Sequence, residues 1–175
     1  MAALVYLVKT LLSLALFAFL LRLLLQWVRA DFRNPLARAL VQITSPVLVP
    51  LRRLLPAVGH FDTASGVIVA ALAMVGAAAE PLLRARELPP LAPWSIAALF
   101  DLLRMTLWTF FCAIFLYALL TLIAPGTYSP AQSLAASLSE PVLRPFRRII
   151  PPLGGLDLSP VWAIILIQAL LILLH

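Results

Sequence analysis

The chain has 175 residues, about the length of one domain. Hydrophobic residues make up 63% and charged residues only 11%, against about 25% charged in soluble domains, so the sequence cannot clothe a water-soluble globule and much of its exterior must face lipid. Disordered, collagen-like, coiled-coil and disulfide-scaffold classes are excluded with it, and the net charge of +6 comes from arginines in short loops between apolar runs, a pattern that suits anionic lipid head groups rather than nucleic acid.

A spanning helix needs about 20 apolar residues. The first such run is Ala3 to Val28, interrupted by Lys9 and Arg22. It could pass for a secretory signal, but a matching segment recurs in mid-chain, so it is expected to stay as a span. The second run, Ala64 to Leu83, is alanine-rich. Gly66, Ala70, Ala73 and Ala77 stand at three- or four-residue spacing, which suits close helix packing. Glu80 to Pro93 holds Pro81, Pro89, Pro90 and Pro93 and reads as the connection between halves. The third run is Ala97 to Ile123, with Asp101 and Arg104 near its start, and the fourth is Leu158 to Leu174. Cys112, the single cysteine, lies in the third run and reads as a small core residue. With one cysteine and histidines only at 60 and 175, no metal or haem ligand set exists. No cofactor is implied, and no nucleophile is paired with a base.

An internal repeat organises these runs. Shifted by 95 residues, Ser45 to Pro56 falls on Glu140 to Pro151 with seven of twelve positions identical and no gap. The register also brings Pro35 onto Pro130, Gly59 onto Gly154, Asp62 onto Asp157 and Lys9 onto Arg104. The expected organisation is a first repeat at residues 1–83, a linker at 84–93 and a second repeat at 94–175. Two spans per repeat make the halves parallel, so both motif loops lie on one side of the membrane. Arg29, Arg33, Arg38, Arg52, Arg53, Arg144, Arg147 and Arg148 load that side, while Lys9, Arg84, Arg86 and Arg104 face the other. This bias predicts cytoplasmic loops and both termini outside. The fold expected is all-α and polytopic, with four transmembrane helices.

Within each loop, Asn34-Pro35 and Ser129-Pro130 place an N-cap candidate before a proline at the first helical position. Leu36, Ala39, Leu40 and Ile43 then recur at helical spacing, as do Ala131, Leu134, Ala135 and Leu138. Each set predicts a short amphipathic helix lying in the interface or packed on the spans. Pro46 and Pro50, like Pro141 and Pro145, stand four apart and predict a broken or bent segment after it. Arg52, Arg53, Arg147 and Arg148 are read either as retention charges on lipid phosphate or as a specific site. Asp62 and Asp157 are read as helix caps, or as partners of one arginine in each pair, latching the motif to the following span. Arg22, about six residues from the end of its helix, is expected to turn inward to polar groups of neighbouring helices.

The run Pro141-Val142-Leu143-Arg144-Pro145-Phe146-Arg147-Arg148-Ile149-Ile150-Pro151-Pro152-Leu153-Gly154-Gly155-Leu156-Asp157-Leu158-Ser159-Pro160 resembles the signature of the YggT repeat of bacterial and plastid membrane proteins. Arg22 to Trp27 resembles the arginine-to-tryptophan stretch before it. The first copy departs after Pro56, where Ala57, His60, Thr63, Ala64 and Ser65 replace the usual Pro, Gly, Leu, Ser and Pro. The resemblance implies a bacterial inner-membrane protein connected with osmotic or extracytoplasmic stress and ion homeostasis, or with assembly of membrane complexes. It brings no catalytic residues.

Two functions are therefore expected to compete. One is a non-enzymatic scaffold, assembly or stress-response factor whose partners are anionic lipids, a second copy of the chain or another membrane protein. The other is a component of an ion transport or channel system, in which Arg22 would line a path.

Overall fold

The computed structural model describes residues 2–55, 62–123, 129–149 and 157–174. Gly59, Gly154, Pro56, Pro151 and both histidines lie outside the described residues. The described chain is all-helical: α1 (Ala2–Trp27), α2 (Pro35–Leu54), α3 (Thr63–Ala85), α4 (Leu91–Ile123), α5 (Pro130–Ile149) and α6 (Ser159–Leu173). Three of these, α1, α3 and α4, are long and apolar enough to cross a membrane. Helix α6 is apolar but has only 15 residues, about 22 Å of rise. Both bounds of α5 lie 95 residues beyond those of α2, so the sequence register is also the register of the motif helices.

Helix α1 ends in a Schellman-type turn. Arg29 takes the left-handed conformation with φ 55°. The N–H of Ala30 donates to Leu25 O at 2.9 Å and that of Arg29 to Gln26 O at 3.1 Å, covering carbonyls that the helix end exposes. Asn34 then starts α2 as anticipated. Its Oδ1 accepts the Leu36 N–H at 2.9 Å, with Pro35 at the first helical position.

The motif segments differ from expectation. Each is one uninterrupted helix that carries its prolines inside it, Pro46 and Pro50 in α2, Pro141 and Pro145 in α5. The spacing of four explains the tolerance. Both missing donors fall on a single face, so the helix loses only the bonds to the carbonyls of residues 42 and 46, or 137 and 141. In α2 that face is exposed at Gln42, Pro46 and Pro50, where outside donors can reach the released carbonyls.

The two motif helices turn their apolar stripes differently. In α2 the inner positions are Ala37, Thr44 and Leu48. Its apolar stripe is not packed on the protein, with Leu36 at 51% and Ile43 at 72% exposure, joined by Val47 and Leu54. In α5 the corresponding stripe is partly enclosed, and Ala135, Leu138, Ser139 and Leu143 are buried. In α3, Ala73 is buried but Ala70 is exposed. The inner face runs through Ala64, Ser65, Ile68, Val69, Ala73, Ala78 and Ala79. Pro81 lies inside α3 rather than in the connection, which shrinks to the residues between Ala85 and Leu91. Arg86 closes α3 in the left-handed conformation, its N–H on Leu82 O. Cys112 is exposed, not a core residue.

By its contacts the chain divides into two compact units. One is Met1–Leu23 with Gln42–Met105, the other Leu24–Val41 with Thr106–His175. In the first, polar bonds tie α3 to its neighbours. Lys9 of α1 meets Glu80 of α3 at 2.7 Å, and the Trp94 indole N–H of α4 donates to Met74 O at 2.7 Å. In the second unit, Ile114 of α4, Leu143 of α5 and Ala163 and Ile167 of α6 form the core, flanked by Phe110, Phe111, Val142 and Phe146. Ala163 is fully buried, and its small side chain lets helix backbones approach closely.

Candidate functional site

Both units carry an ionic cluster where a motif helix meets the start of the next helix. In the first, Arg22 on α1 is buried, with 5% exposure. Its Nη1 donates to the Thr44 hydroxyl at 2.5 Å and to the Ser45 hydroxyl at 3.2 Å, both on α2. A guanidinium this deep in an apolar helix needs such donors and acceptors around it, because hydrocarbon supplies none. Two turns beyond Ser45, Arg52 grips Asp62 with two nitrogens, Nε to Oδ1 at 3.4 Å and Nη2 to Oδ2. Asp62 itself is 2% exposed and accepts the Ser65 hydroxyl at 2.6 Å.

The second cluster keeps the plan and changes the parts. Arg147 on α5 donates from Nε to Asp157 Oδ2 at 2.9 Å, from Nη1 to Glu140 Oε2 at 2.7 Å and from Nη2 to the Tyr117 hydroxyl at 3.2 Å. Its guanidinium also stands 5.9 Å from the Tyr117 ring centroid, within cation–π range. Asp157 Oδ1 accepts the Ser159 N–H at 2.9 Å, so this aspartate serves as both ion-pair partner and helix-start acceptor. At Asp62 the extra partner is Ser65, whose hydroxyl donates to the carboxylate and whose backbone N–H also favours its charged form.

One arginine of each pair thus reaches the aspartate of its own motif. The neighbouring Arg53 and Arg148 are exposed and have no partner among the described residues. Arg22 joins Thr44 and Ser45 rather than a carboxylate, although the charges of Arg52 and Asp62 both act on it. Glu140, Tyr117, Thr44 and Ser45 were not singled out from the sequence. The signals were present: Glu140 and Arg147 are seven apart, hence on one helix face, and Tyr117 occupies the register position of Arg22.

Electrostatics follow the geometry. Burial alone pushes the Asp62 carboxyl up, but the hydrogen bonds from Arg52 and Ser65 outweigh it and hold the group below the ordinary carboxylate range. Asp157 is held down in the same way by Ser159 and Arg147 against its own burial. Burial works against the Arg147 charge, yet Asp157, Tyr117 and Glu140 together raise its pKa. Among the described residues no group of His, Cys, Asp and Glu could hold a metal ion.

An all-helical chain with three helices apt to cross a membrane, its motif charges neutralised at the feet of apolar helices, is a small helical membrane protein by class. A family model described as CCB3/YggT matches residues 1–83 and again residues 96–175. The chain belongs to the CCB3/YggT family. A Pseudomonas aeruginosa relative, the uncharacterized protein PA0392, is 40% identical over 170 residues, covering 95% of this chain and 85% of its own. YggT of Escherichia coli K12 is 33% identical over 170 residues, covering 97% and 88%. A Vibrio alginolyticus protein from the proC 3' region is 34% identical over 155 residues, covering 88% and 83%. No solved structure matches the chain.

Two outcomes are expected. Arg52→Ala strands a buried carboxylate and should cost about 2–4 kcal/mol. Arg147→Ala, in a more exposed cluster, should cost about 1–2 kcal/mol. Arg53→Ala and Arg148→Ala should stay within about 0.5 kcal/mol of wild type. Melting of the four purified variants in detergent checks this, and equal losses at all four would show that the pairing has no special weight. The second outcome concerns pH. Both aspartates have folded pKa values below the unfolded value of about 3.9, so their contribution is complete above about pH 5. It is lost as pH falls through the folded values. Melting midpoints between pH 7 and 3 should therefore drop at the acid end, and Asp62→Asn with Asp157→Asn should flatten that drop.

Proposed function

We propose that this protein is a non-enzymatic integral membrane protein of the bacterial inner membrane, a scaffold, assembly or stress-response factor acting through lipid and protein contacts at the cytoplasmic face. The observation that carries the reading is the disposition of the motif charges. The paired arginines Arg22, Arg52 and Arg147 face side chains of their own unit. Arg53, Arg144 and Arg148 remain exposed. So do the apolar side chains Leu36, Ile43, Val47 and Leu54 of α2. Basic and apolar groups presented together suit a head-group boundary or a partner helix. A water path would need a polar stripe along the spans, and the spans carry none in their sequences.

In this reading α6 is the fourth span. Its 15 residues fall short of the hydrocarbon thickness of about 30 Å, which local thinning of the bilayer accommodates. The two repeats then run parallel, with both motif loops cytoplasmic and both termini outside. The ion pairs of the first unit support a transverse placement. Along α1, Lys9 and Arg22 are separated by about 20 Å of helix rise, so the Lys9–Glu80 pair and the Arg52–Asp62 cluster bracket an apolar layer.

Two measurements test these statements. In a Cys112→Ala background, cysteines at positions 53 and 148 should resist a membrane-impermeant maleimide applied to intact cells and label after lysis. Labelling from outside would reverse the orientation. For function, the purified chain in liposomes should pass no selective ion current above empty liposomes. Robust selective flux would replace the scaffold reading with the transport one.

A further inference from the structure

The two clusters stand at the same register and carry opposite surpluses of charge. In the second unit Arg147 faces two carboxylates, Glu140 and Asp157, and each of its three guanidinium nitrogens has an acceptor. In the first unit, register position 45 holds serine where position 140 holds glutamate, and position 22 holds arginine where position 117 holds tyrosine. Asp62 pairs with Arg52, and the Arg22 guanidinium, held by Thr44 and Ser45, adds a second positive charge within electrostatic reach of that pair. Arg52 donates Nε and Nη2 to Asp62, and its Nη1 meets no acceptor among the described residues. The Ser45 hydroxyl is occupied by Arg22 and is too short to stand in for a glutamate. Arg52 is 42% exposed, so this edge can be reached from outside the protein.

We propose that the first motif binds a phosphate-type oxyanion from outside the chain, on the open edge of Arg52 beside Ser45, in the role that the Glu140 carboxylate performs within the second motif. The chemistry matches. A planar guanidinium edge presents parallel N–H donors to two oxygens of one tetrahedral or carboxylate group. The surplus positive charge comes from Arg22 behind Ser45, held in place by Thr44. The second motif has its anion built in and takes none. The source of the oxyanion is either a lipid head group or free phosphate, since both present the same oxygens. This deepens the lipid-contacting role proposed above and rests on it only for the lipid as source. The motif asymmetry stands independently of whether the protein scaffolds or transports.

The test uses the full-length protein purified in neutral detergent. Inorganic phosphate is added in one arm. In the other arm, phosphatidylglycerol is compared with phosphatidylcholine. Either the phosphate or the phosphatidylglycerol should raise the melting midpoint by about 2–4 °C at saturation. A response to phosphate alone identifies a free anion as the source, and a response to phosphatidylglycerol alone identifies the head group. Ser45→Glu supplies the carboxylate within the chain, so its midpoint should start higher and lose at least half of the response. The reciprocal Glu140→Ser opens the corresponding edge of Arg147 and should gain response over wild type. It carries the test by itself if Ser45→Glu does not fold. No response in either arm overturns the proposal, as does a response unchanged in both variants, which would assign the anion to exposed arginines such as Arg53 and Arg148. Liposome flux, which decides between scaffold and transporter, is read separately and leaves this result untouched.

Discussion

A guanidinium removed from water must find its countercharge or its hydrogen-bond partners inside the protein, because the surrounding medium offers neither. The sequence holds 13 basic residues against seven acidic ones, so carboxylates are scarce, and the one buried arginine, Arg22, is met by the Thr44 and Ser45 hydroxyls instead. Glu80 joins α3 to α1, Asp62 and Asp157 join the start of a helix to the motif helix before it, and Glu140 braces Arg147 along α5 itself. The arginines that lack such a partner, Arg53 and Arg148 among them, stay at the surface. The helix ends are located by where opposite charges can meet, and the apolar spans between them tolerate loose specification.

The duplicated motif shows how that constraint relaxes after duplication. Arg147, Glu140 and Asp157 form a set that is closed by Tyr117. Arg22 stands where the second copy has Tyr117 and brings two positive charges near each other. Ser45, standing where the second copy has Glu140, accepts the Arg22 guanidinium. The two halves keep the grip between arginine and aspartate and differ in everything around it. The more buried Asp62 and its Ser65 hydroxyl occupy the stretch where the first copy departs from the family pattern.

Much of the fold was legible in the sequence. The apolar runs gave α1, α3 and α4, and the 95-residue register anticipated that α2 and α5 would share their bounds. The pairing of Arg52 with Asp62 and Arg147 with Asp157 could be inferred because each motif repeats the same order of arginine pair, proline, glycine and aspartate within about a dozen residues. Other features were hidden for physical reasons. Periodicity reports that a helix has an apolar face but not what covers it, so the sequence leaves open whether Leu36 and Ile43 pack on the spans, and in the structure they are exposed. Lys9 and Glu80 are 71 residues apart, and a pair across two helices leaves no trace in local spacing. The helix-breaking tendency of proline predicts bends in α2 and α5, but their prolines, four apart, lie inside uninterrupted helices with both missing donors on a single face.

That face has a bearing on where the motif helices can settle. Each proline pair releases two carbonyl oxygens, and in α2 they emerge along the line of Gln42, Pro46 and Pro50. An unmatched carbonyl in hydrocarbon costs several kcal/mol. At the head-group level proposed for α2, sinking it deeper would drown that row of dipoles, while lifting it out would strand Leu36, Ile43 and Leu54 in water. That proposed placement would be buoyed at one level, the prolines acting as floats against the leucines as ballast.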